Sequence, residues 1–287
     1  MGGDRQPKKP PQLLYAAMTD TGRERQNNED GVVACDLATA TGHRQAVSAF
    51  FAVSDGMGGH NAGEIAAMTA IQSVAASLTR GYFLPVLRTD IYQLPERVYN
   101  YHFRRAKRRP ARPAARRVLT AAMERANTAI IDLSRKNPAF FGMGATLTAA
   151  VLDDRRLTVA SVGDSRCYVY ADKRLQQVTK DHTIVNQMVE LGRISPEDAV
   201  HHPGRNFLYK SLGSSEQLEF DLFDLELAPP AWILICSDGL TSMVPDAEIA
   251  RVVADCRQPH NGAAELIRRA NRAGGKDNIS VVLAKLT

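Results

Sequence analysis

Apolar runs of strand length recur along the chain, and helical patterns separate some of them. The hydrophobic pattern predicts strands at about 13–18, 32–35, 47–53, 145–152, 157–162, 167–170, 218–227, 231–236 and 279–283. Apolar positions at helical spacing predict helices at about 63–80, 117–135, 184–191, 246–256 and 263–273. Because short turns join consecutive strands and the helices come in separated pairs, the pattern favours an α+β sandwich of antiparallel sheets over a doubly wound fold.

Five of these predicted strands carry a carboxylate at one end. The carboxylates are Asp55, Asp164 and Asp238, which follow apolar runs, and Asp277 and the pair Glu29 and Asp30, which precede them. A strand end fixes the backbone of such a residue while its side chain can meet groups from elsewhere. Glycines 56, 58 and 59 follow Asp55 and allow the main chain to approach an ion or a phosphate closely.

If Asp55, Asp238 and Asp277 converge, their charges repel, and desolvating each costs several kcal/mol, so the cluster needs bound cations. No His or Cys shares the motif spacing, so an all-oxygen ligand set indicates Mg²⁺ or Mn²⁺ rather than zinc. Two such ions about 3.5–4 Å apart would activate a bridging hydroxide for attack on phosphorus. Arg25 could hold the phosphate oxygens, or it could pair with Glu24 or Glu29 at the surface.

Length and charge distribution refine this picture. The chain has 287 residues, and its carboxylates span nearly all of them, which favours a single domain at 13–287 behind a flexible, proline-rich tail at 1–12. Eleven of the 36 Lys and Arg, but only two of the 31 acids, lie at 80–117, so the rest of the chain is mildly acidic. We interpret 81–116 as a basic insertion. It is either a solvated face or a docking site for an acidic or phosphorylated partner, and nucleic acid is the weaker interpretation.

The sequence also bears on location. No apolar run reaches the length of a membrane span, and no hydrophobic signal segment opens the chain. The four cysteines are far apart and lack Cys-x-x-Cys spacing, which is typical of reduced thiols. These features predict a cytoplasmic protein without membrane partners.

Five motifs stand in an order that resembles the metal-dependent serine/threonine protein phosphatases of type 2C, the PPM family, and in particular its bacterial members. They are Gly22-Arg23-Glu24-Arg25-Gln26-Asn27-Asn28-Glu29-Asp30, Asp55-Gly56-Met57-Gly58-Gly59, Gly163-Asp164-Ser165-Arg166, Ser237-Asp238-Gly239 and Lys276-Asp277-Asn278. The stretch from Thr179 through Arg193–Asp198 to Gly213 is similar to the flap region of the bacterial members. The resemblance covers about residues 19–283.

This resemblance implies two stacked antiparallel β-sheets flanked by pairs of antiparallel helices, an αββα sandwich, with a flap at about 192–213 and a metal site at one end. Asp55 would bridge two ions and the Gly56 carbonyl would bind one, while Asp238 and Asp277 would hold the other. Glu29 and Asp30 would act directly or through water, and Arg25 would bind the substrate phosphate. Asp164 matches a third metal position, although it could instead pair with Arg166.

The chain departs from the family pattern after the Asp55-Gly56 pair. Many eukaryotic members have a histidine there that is proposed to protonate the leaving group, whereas this chain has Met57. His60 is expected to cap or pack near the following helix, so the general acid stays open. Asp20 and Asn278 are expected behind the ligands or in turns. His182, His201 and His202 are expected to belong to the flap structure rather than to bind metal.

The function implied is hydrolysis of phosphoserine and phosphothreonine on proteins, with two Mn²⁺ or Mg²⁺ ions and no covalent intermediate. Its partners would be phosphorylated proteins, including a Ser/Thr kinase or its substrates. One alternative is a catalytically silent relative that binds phosphoproteins as a regulator. Another is a hydrolase of a different phosphate ester.

Overall fold

A computed structural model describes residues 12–41, 44–58, 62–85 and 114–287. The predicted tail (except residue 12), His60 and positions 86–113 of the predicted insertion lie outside the described residues. The strands are β1 (Leu13–Asp20), β2 (Asp30–Thr41), β3 (Arg44–Met57), β4 (Gly144–Ala145), β5 (Leu147–Asp153), β6 (Arg156–Val162), β7 (Arg166–Ala171), β8 (Arg174–Gln177), β9 (Asp221–Glu226), β10 (Ala231–Cys236) and β11 (Ile279–Leu286).

These strands form two antiparallel sheets. The first sheet has the order β1-β11-β10-β7-β8, and the second has the order β2-β3-β5-β6-β9, with β4 paired to the end of β3. The chain crosses between the sheets several times, so strands that are remote in sequence become neighbours. One example is β1, which pairs along its whole length with β11.

The helices lie on the outer faces of the two sheets or in the flap. They are α1 (Ala62–Leu78), α2 (Ala115–Lys136), α3 (Ile184–Glu190), α4 (Pro196–His201), α5 (Asp238–Thr241), α6 (Asp246–Asp255) and α7 (Pro259–Arg272). A π-helical turn at Thr79–Phe83 follows α1, and a 3₁₀ turn at Pro138–Phe140 follows α2. No helix in the described part of the chain has both the length and the apolar character needed to cross a membrane.

Alternation along the central strands divides the core into three layers. In β3, Phe51 points toward the first sheet, whereas Phe50 and Ala52 pack against α1 and α2. In β10, Ile235 joins the layer between the sheets, whereas Leu234 packs under α6 and α7. Side chains of a strand alternate between its two faces, so a strand that is apolar throughout must be covered on both. The predicted αββα sandwich is confirmed.

The observed elements differ from the sequence predictions in a few places. β3 continues through Asp55 to Met57, so this aspartate lies within the strand rather than after it. The strand β8 and the helical turn α5 were not predicted, because both are four residues long and neither shows a periodic apolar pattern. Ser195 caps the first turn of α4, since its Oγ accepts the N–H of Asp198 at 3.1 Å.

Candidate metal centre

A cleft of about 650 Å³ opens at one end of the two sheets. The described residues that line it are Arg25, Glu29, Asp55, Gly56, Met57, Gly58, Thr146, Asp164, Ile184, Asn206, Phe207, Leu208, Ser211, Asp238, Asp277 and Asn278. All but one of the carboxylates predicted at the site therefore share one cavity. Asp30, the exception, is buried beside it.

Strand pairing explains why residues so far apart in sequence meet here. Asp30 and Asp55 are directly paired between β2 and β3. Cys236, the last residue of β10, pairs with Val281 near the start of β11, so the residues that follow β10 meet those that precede β11. The antiparallel register brings both junctions to the same end of the sandwich.

The backbone of Asp55 is fixed by Thr146. The N–H of Asp55 donates to Thr146 Oγ1 at 2.9 Å, and the Asp55 carbonyl accepts the N–H of Thr146 at 2.8 Å. Thr146 Oγ1 also lies 2.7 Å from Ser165 Oγ, which ties Asp55 to the loop that carries Asp164. Burial raises the pKa of the Asp55 carboxyl well above its ordinary value, and the charges of Asp30 and other aspartates add to the rise.

The close approach of α1 requires a glycine after Asp55. A Cβ on Gly56 would lie 2.0 Å from the carbonyl oxygen of Gly63 and 2.7 Å from that of Glu29, which no side chain allows. The N–H of Gly56 donates to the same Glu29 oxygen at 3.1 Å. The segment that carries Glu29 is therefore held against Asp55 through main-chain contacts.

Asp30 and Asp238 each leave a buried carboxylate oxygen unsatisfied. Asp30 Oδ2 accepts the hydroxyl of Ser237 at 2.8 Å, but its Oδ1, like Oδ1 of Asp238, accepts no hydrogen bond from the described residues. Burial raises the pKa of Asp30 to about 7. Burial also raises the pKa of Asp238, and the charge of Asp277 adds to it. Because buried polar atoms are usually paired, these two oxygens indicate ligands that the chain itself does not supply.

Arg25 is the one cation among the described residues that line the cleft, and it pairs with Asp277. Its Nη2 lies 2.8 Å from Asp277 Oδ2, and its side chain is 53% exposed. This ion pair is with neither Glu24 nor Glu29, the partners that the sequence offered as alternatives. The Asn278 amide joins the segment before β11 to the segment between β1 and β2. Its Oδ1 accepts the Glu29 N–H at 2.8 Å, and its Nδ2 donates to the carbonyl oxygens of Thr21 and Asn27, each at 2.9 Å.

Asp164 lines the same cleft in the turn between β6 and β7. Burial raises its pKa to about 8, and the charge of Asp238 adds to the rise. Arg166, the alternative partner considered for Asp164, instead pairs with Asp181, with Nη2 2.6 Å from Oδ2. Asp20 stands apart from the cleft, and its Oδ1 accepts the N–H of Gly22 at 2.9 Å and Asn271 Nδ2 at 3.0 Å.

His182 precedes the predicted flap at 192–213 and supports the segments that line the cleft. Its Nδ1 accepts the N–H of Gly163 at 3.1 Å, and its Nε2 lies 3.3 Å from Asp221 Oδ2. Sequence reasoning missed Thr146, because a threonine within an apolar run gives no signal of its own. It also missed the flap residues that line the cleft, since irregular segments carry no periodicity.

The carboxylates suit divalent cations by their chemistry. Carboxylate and carbonyl oxygens are the ligands that Mg²⁺ and Mn²⁺ prefer, and one arginine does not balance this many buried acids. Among the described residues, no three Asp, Glu, His or Cys side chains already form a metal-binding site. Ser237 and Arg25 occupy carboxylate oxygens at Asp30 and Asp277. The donor set therefore fits oxygen-bound cations, with those side chains as competing partners.

A carboxylate-lined cleft with one arginine, at the end of an αββα sandwich, is the arrangement that the sequence resemblance implies for a metal-dependent phosphatase. Residues 23–273 match the family model of protein phosphatase 2C. The serine/threonine phosphatase stp of Listeria welshimeri is 33% identical over 276 residues, which cover 93% of each chain. The chain therefore belongs to the protein phosphatase 2C family, and the prediction of a protein serine/threonine phosphatase is confirmed.

Solved structures agree with this assignment. The crystal structure of the Mycobacterium tuberculosis serine/threonine phosphatase PstP/Ppp superposes with a TM-score of 0.73 at 33% identity, covering 95% of this chain and 98% of that one. A structure of the PstP catalytic domain in complex with two manganese ions has a TM-score of 0.73 at 32% identity, covering 96% and 99%.

Proposed function

We propose that this chain hydrolyses phosphoserine and phosphothreonine on proteins with the help of two bound Mn²⁺ or Mg²⁺ ions. The observation that carries the proposal is the meeting of Asp55, Asp164, Asp238 and Asp277 with Arg25 in one cleft. The four aspartates come from four separate segments of the chain, and their mutual repulsion makes the cluster unfavourable unless cations bind.

The residues proposed to hold two ions are Glu29, Asp30, Asp55, the carbonyl of Gly56, Asp238 and Asp277, and Asp164 with Asp238 would hold a third. The ions, when bound, supply positive charge for the phosphate oxygens and a water of lowered pKa. The chain supplies fixed positions for its carboxylates. Thr146 holds the backbone of Asp55, and Ser237 orients Asp30. Asp20 and Asn278 act behind the ligands, by joining the segments that carry them.

Arg25 is proposed to bind and orient the phosphate. A guanidinium has five donors in a planar fork, so the bond to Asp277 leaves others free to face the cleft. Its half-exposed side chain can be reached by a substrate that enters from solvent. Bidentate binding would set the direction of the scissile P–O bond relative to the carboxylates.

Proton delivery to the leaving group does not come from the residue after Gly56, because Met57 has no titratable atom. No histidine is present among the described residues that line the cleft. We therefore propose that water in the cleft, rather than an imidazole at this position, protonates the leaving serine or threonine oxygen.

The proposed partners are phosphorylated proteins, including a Ser/Thr kinase or its substrates. Several expectations from the sequence stay predictions, among them the third ion, the cytoplasmic location, the docking role of the basic insertion, and the division into a tail and one domain. The stp and PstP relatives carry the name serine/threonine phosphatase, which supports the substrate class proposed here.

The test is release of phosphate from a phosphothreonine peptide with Mn²⁺, with excess chelator, and with Asp238→Asn. We expect turnover that needs the metal and falls about a hundredfold or more in the variant. Asp255→Asn, an exposed acid on α6, is the matched control and should retain turnover. Folded protein that binds the peptide without turning it over in Mn²⁺ or Mg²⁺ would support the silent regulator instead.

A further inference from the structure

Apolar side chains form one wall of the acidic cleft. Ile184, Phe207 and Leu208, here called the flap wall, line the same cavity as Asp55 and Asp164. Phe207 is 64% exposed and Ile184 is 40% exposed, and the two lie together in one cavity rather than singly on the surface. The wall is therefore free to cover an apolar group that enters the cleft.

The wall is built on a short piece of paired backbone. The N–H of Ile184 donates to the carbonyl of Phe207 at 2.8 Å, and the N–H of Tyr209 donates to the carbonyl of His182 at 2.9 Å. Thr183 and Leu208 form the antiparallel bridge between these bonds. Main-chain pairing fixes where the apolar side chains stand, so the wall does not depend on the packing of flexible side chains.

His182 joins this backbone ladder to Gly163, the residue before Asp164. Its Nδ1 accepts the N–H of Gly163 at 3.1 Å, and its backbone N–H donates to the Gly163 carbonyl at 2.9 Å. Its ring also meets that of Tyr209 edge to face, with centroids 5.6 Å apart. Since Asp164 follows Gly163, the wall and the carboxylates are held at a fixed separation.

We propose that the flap wall receives an apolar side chain located one or two residues from the phosphorylated residue of the substrate. The proposal rests on the proposed function, because it needs a phosphorylated polypeptide bound at Arg25. Successive residues of an extended chain are about 3.3 Å apart, so a flanking side chain stays within a cleft of about 650 Å³.

The chemistry of the cleft favours this side over the others. Glu29, Asp55 and Asp277 line the same cavity, and their carboxylates offer an apolar side chain no surface on which to be buried. A flanking Leu laid on Phe207 would remove apolar surface of both from water. We expect this burial to raise kcat/KM about tenfold over a flanking Ser, which is within the range of hydrophobic pocket contacts.

The test compares phosphothreonine peptides that differ at one flanking position, Leu against Ser, placed on the N-terminal and C-terminal sides in turn. With Mn²⁺, the wild-type protein should prefer Leu about tenfold on at least one side. In Phe207→Ser and in Ile184→Ser this ratio should fall below about twofold. The ratio is internal to each variant, so a general loss of activity cancels.

Leu191→Ser is the matched control, because Leu191 directly follows α3 and is 62% exposed but does not line the cleft. It should keep the preference for Leu. Equal rates for both peptides in the wild type, a preference that survives both wall substitutions, or its loss in Leu191→Ser would each overturn the proposal.

Hydrolysis of p-nitrophenyl phosphate separates the two levels of failure. Turnover of this small ester without discrimination between the peptides overturns the flap wall alone. No turnover of any substrate overturns the proposed function, and the substrate preference inferred here with it.

Discussion

The hydroxyl of Thr146 is the central polar link beneath the site, and Thr146→Val removes it without changing the shape of the side chain. Thr146 is buried, and its Oγ1 accepts the N–H of Asp55 and contacts Ser165 Oγ. Valine places a methyl group there. The Asp55 N–H and the Ser165 hydroxyl then lose their partner in a region closed to water.

The expected loss of stability follows from these two groups. Leaving a buried donor or acceptor unsatisfied costs about 1–3 kcal/mol, and two are affected. Because the Ser165 hydroxyl can rotate and recover part of its loss, we expect Thr146→Val to lower the free energy of unfolding by about 2–4 kcal/mol.

The assay is urea unfolding in excess chelator, followed by the fluorescence of Trp232, which is the only tryptophan and is buried in β10. Thr128→Val is the matched control. Thr128 lies on the exposed face of α2, where its hydroxyl donates to the Glu124 carbonyl of its own helix at 3.0 Å. We expect this control to change stability by about 0.5 kcal/mol or less.

A double-mutant cycle with Ser165→Ala sharpens the test. The two hydroxyls share one hydrogen bond. The sum of the stability losses in the two single variants should therefore exceed the loss in the double variant by about 1 kcal/mol. The reasoning is wrong if Thr146→Val costs no more than Thr128→Val, or if the losses are additive.

Further predictions concern backbone fit, electrostatics and protonation. Gly56→Ala should destabilise by about 3 kcal/mol or more in the same urea assay, because its Cβ would overlap a carbonyl oxygen. Asp238→Asn should raise the melting temperature at pH 8 in chelator, because it removes a buried charge, and should reduce the further rise that Mn²⁺ gives. Arg25→Ala should raise KM for a phosphopeptide and tighten Mn²⁺ binding by calorimetry, because Asp277 loses its competing cation. Burial lowers the pKa of His182, so the unfolded chain takes up its proton first as the pH falls below about 6.5. The wild type should therefore lose more stability than His182→Gln between pH 7.5 and 5.

The sequence predicted the sandwich well because its strands are buried on both faces. A run such as that of β10 is apolar at every position, so its identity does not depend on the partner strand. The strand β8 was missed because Arg174–Gln177 is mostly polar and forms only by pairing with β7. The hydrophobic pattern therefore predicts a strand well where both of its faces are buried, and gives no signal for a polar strand at the edge of a sheet.

The site was predictable in its members but not in its contacts. Asp55, Asp238 and Asp277 were expected to converge, and each lines the cleft. The partner of Arg25 was open, because its contact with Asp277 joins positions 252 residues apart and depends on β1 pairing with β11. Phe207 was also beyond prediction, since it lies in an irregular segment whose position is set by the His182 ladder.

The arrangement of the aspartates argues that the cleft was shaped by binding rather than by stability. Burial raises the pKa of Asp30, Asp55, Asp164 and Asp238 alike, which means that each opposes folding when it is ionised and unneutralised. A chain selected for stability alone would replace them by apolar residues of similar volume. Instead, hydrogen bonds from Thr146, Ser237 and Asn278 hold together the segments that carry these carboxylates. We expect a site that holds repelling charges together through such hydrogen bonds to gain stability from bound cations, so that metal occupancy is coupled to folding.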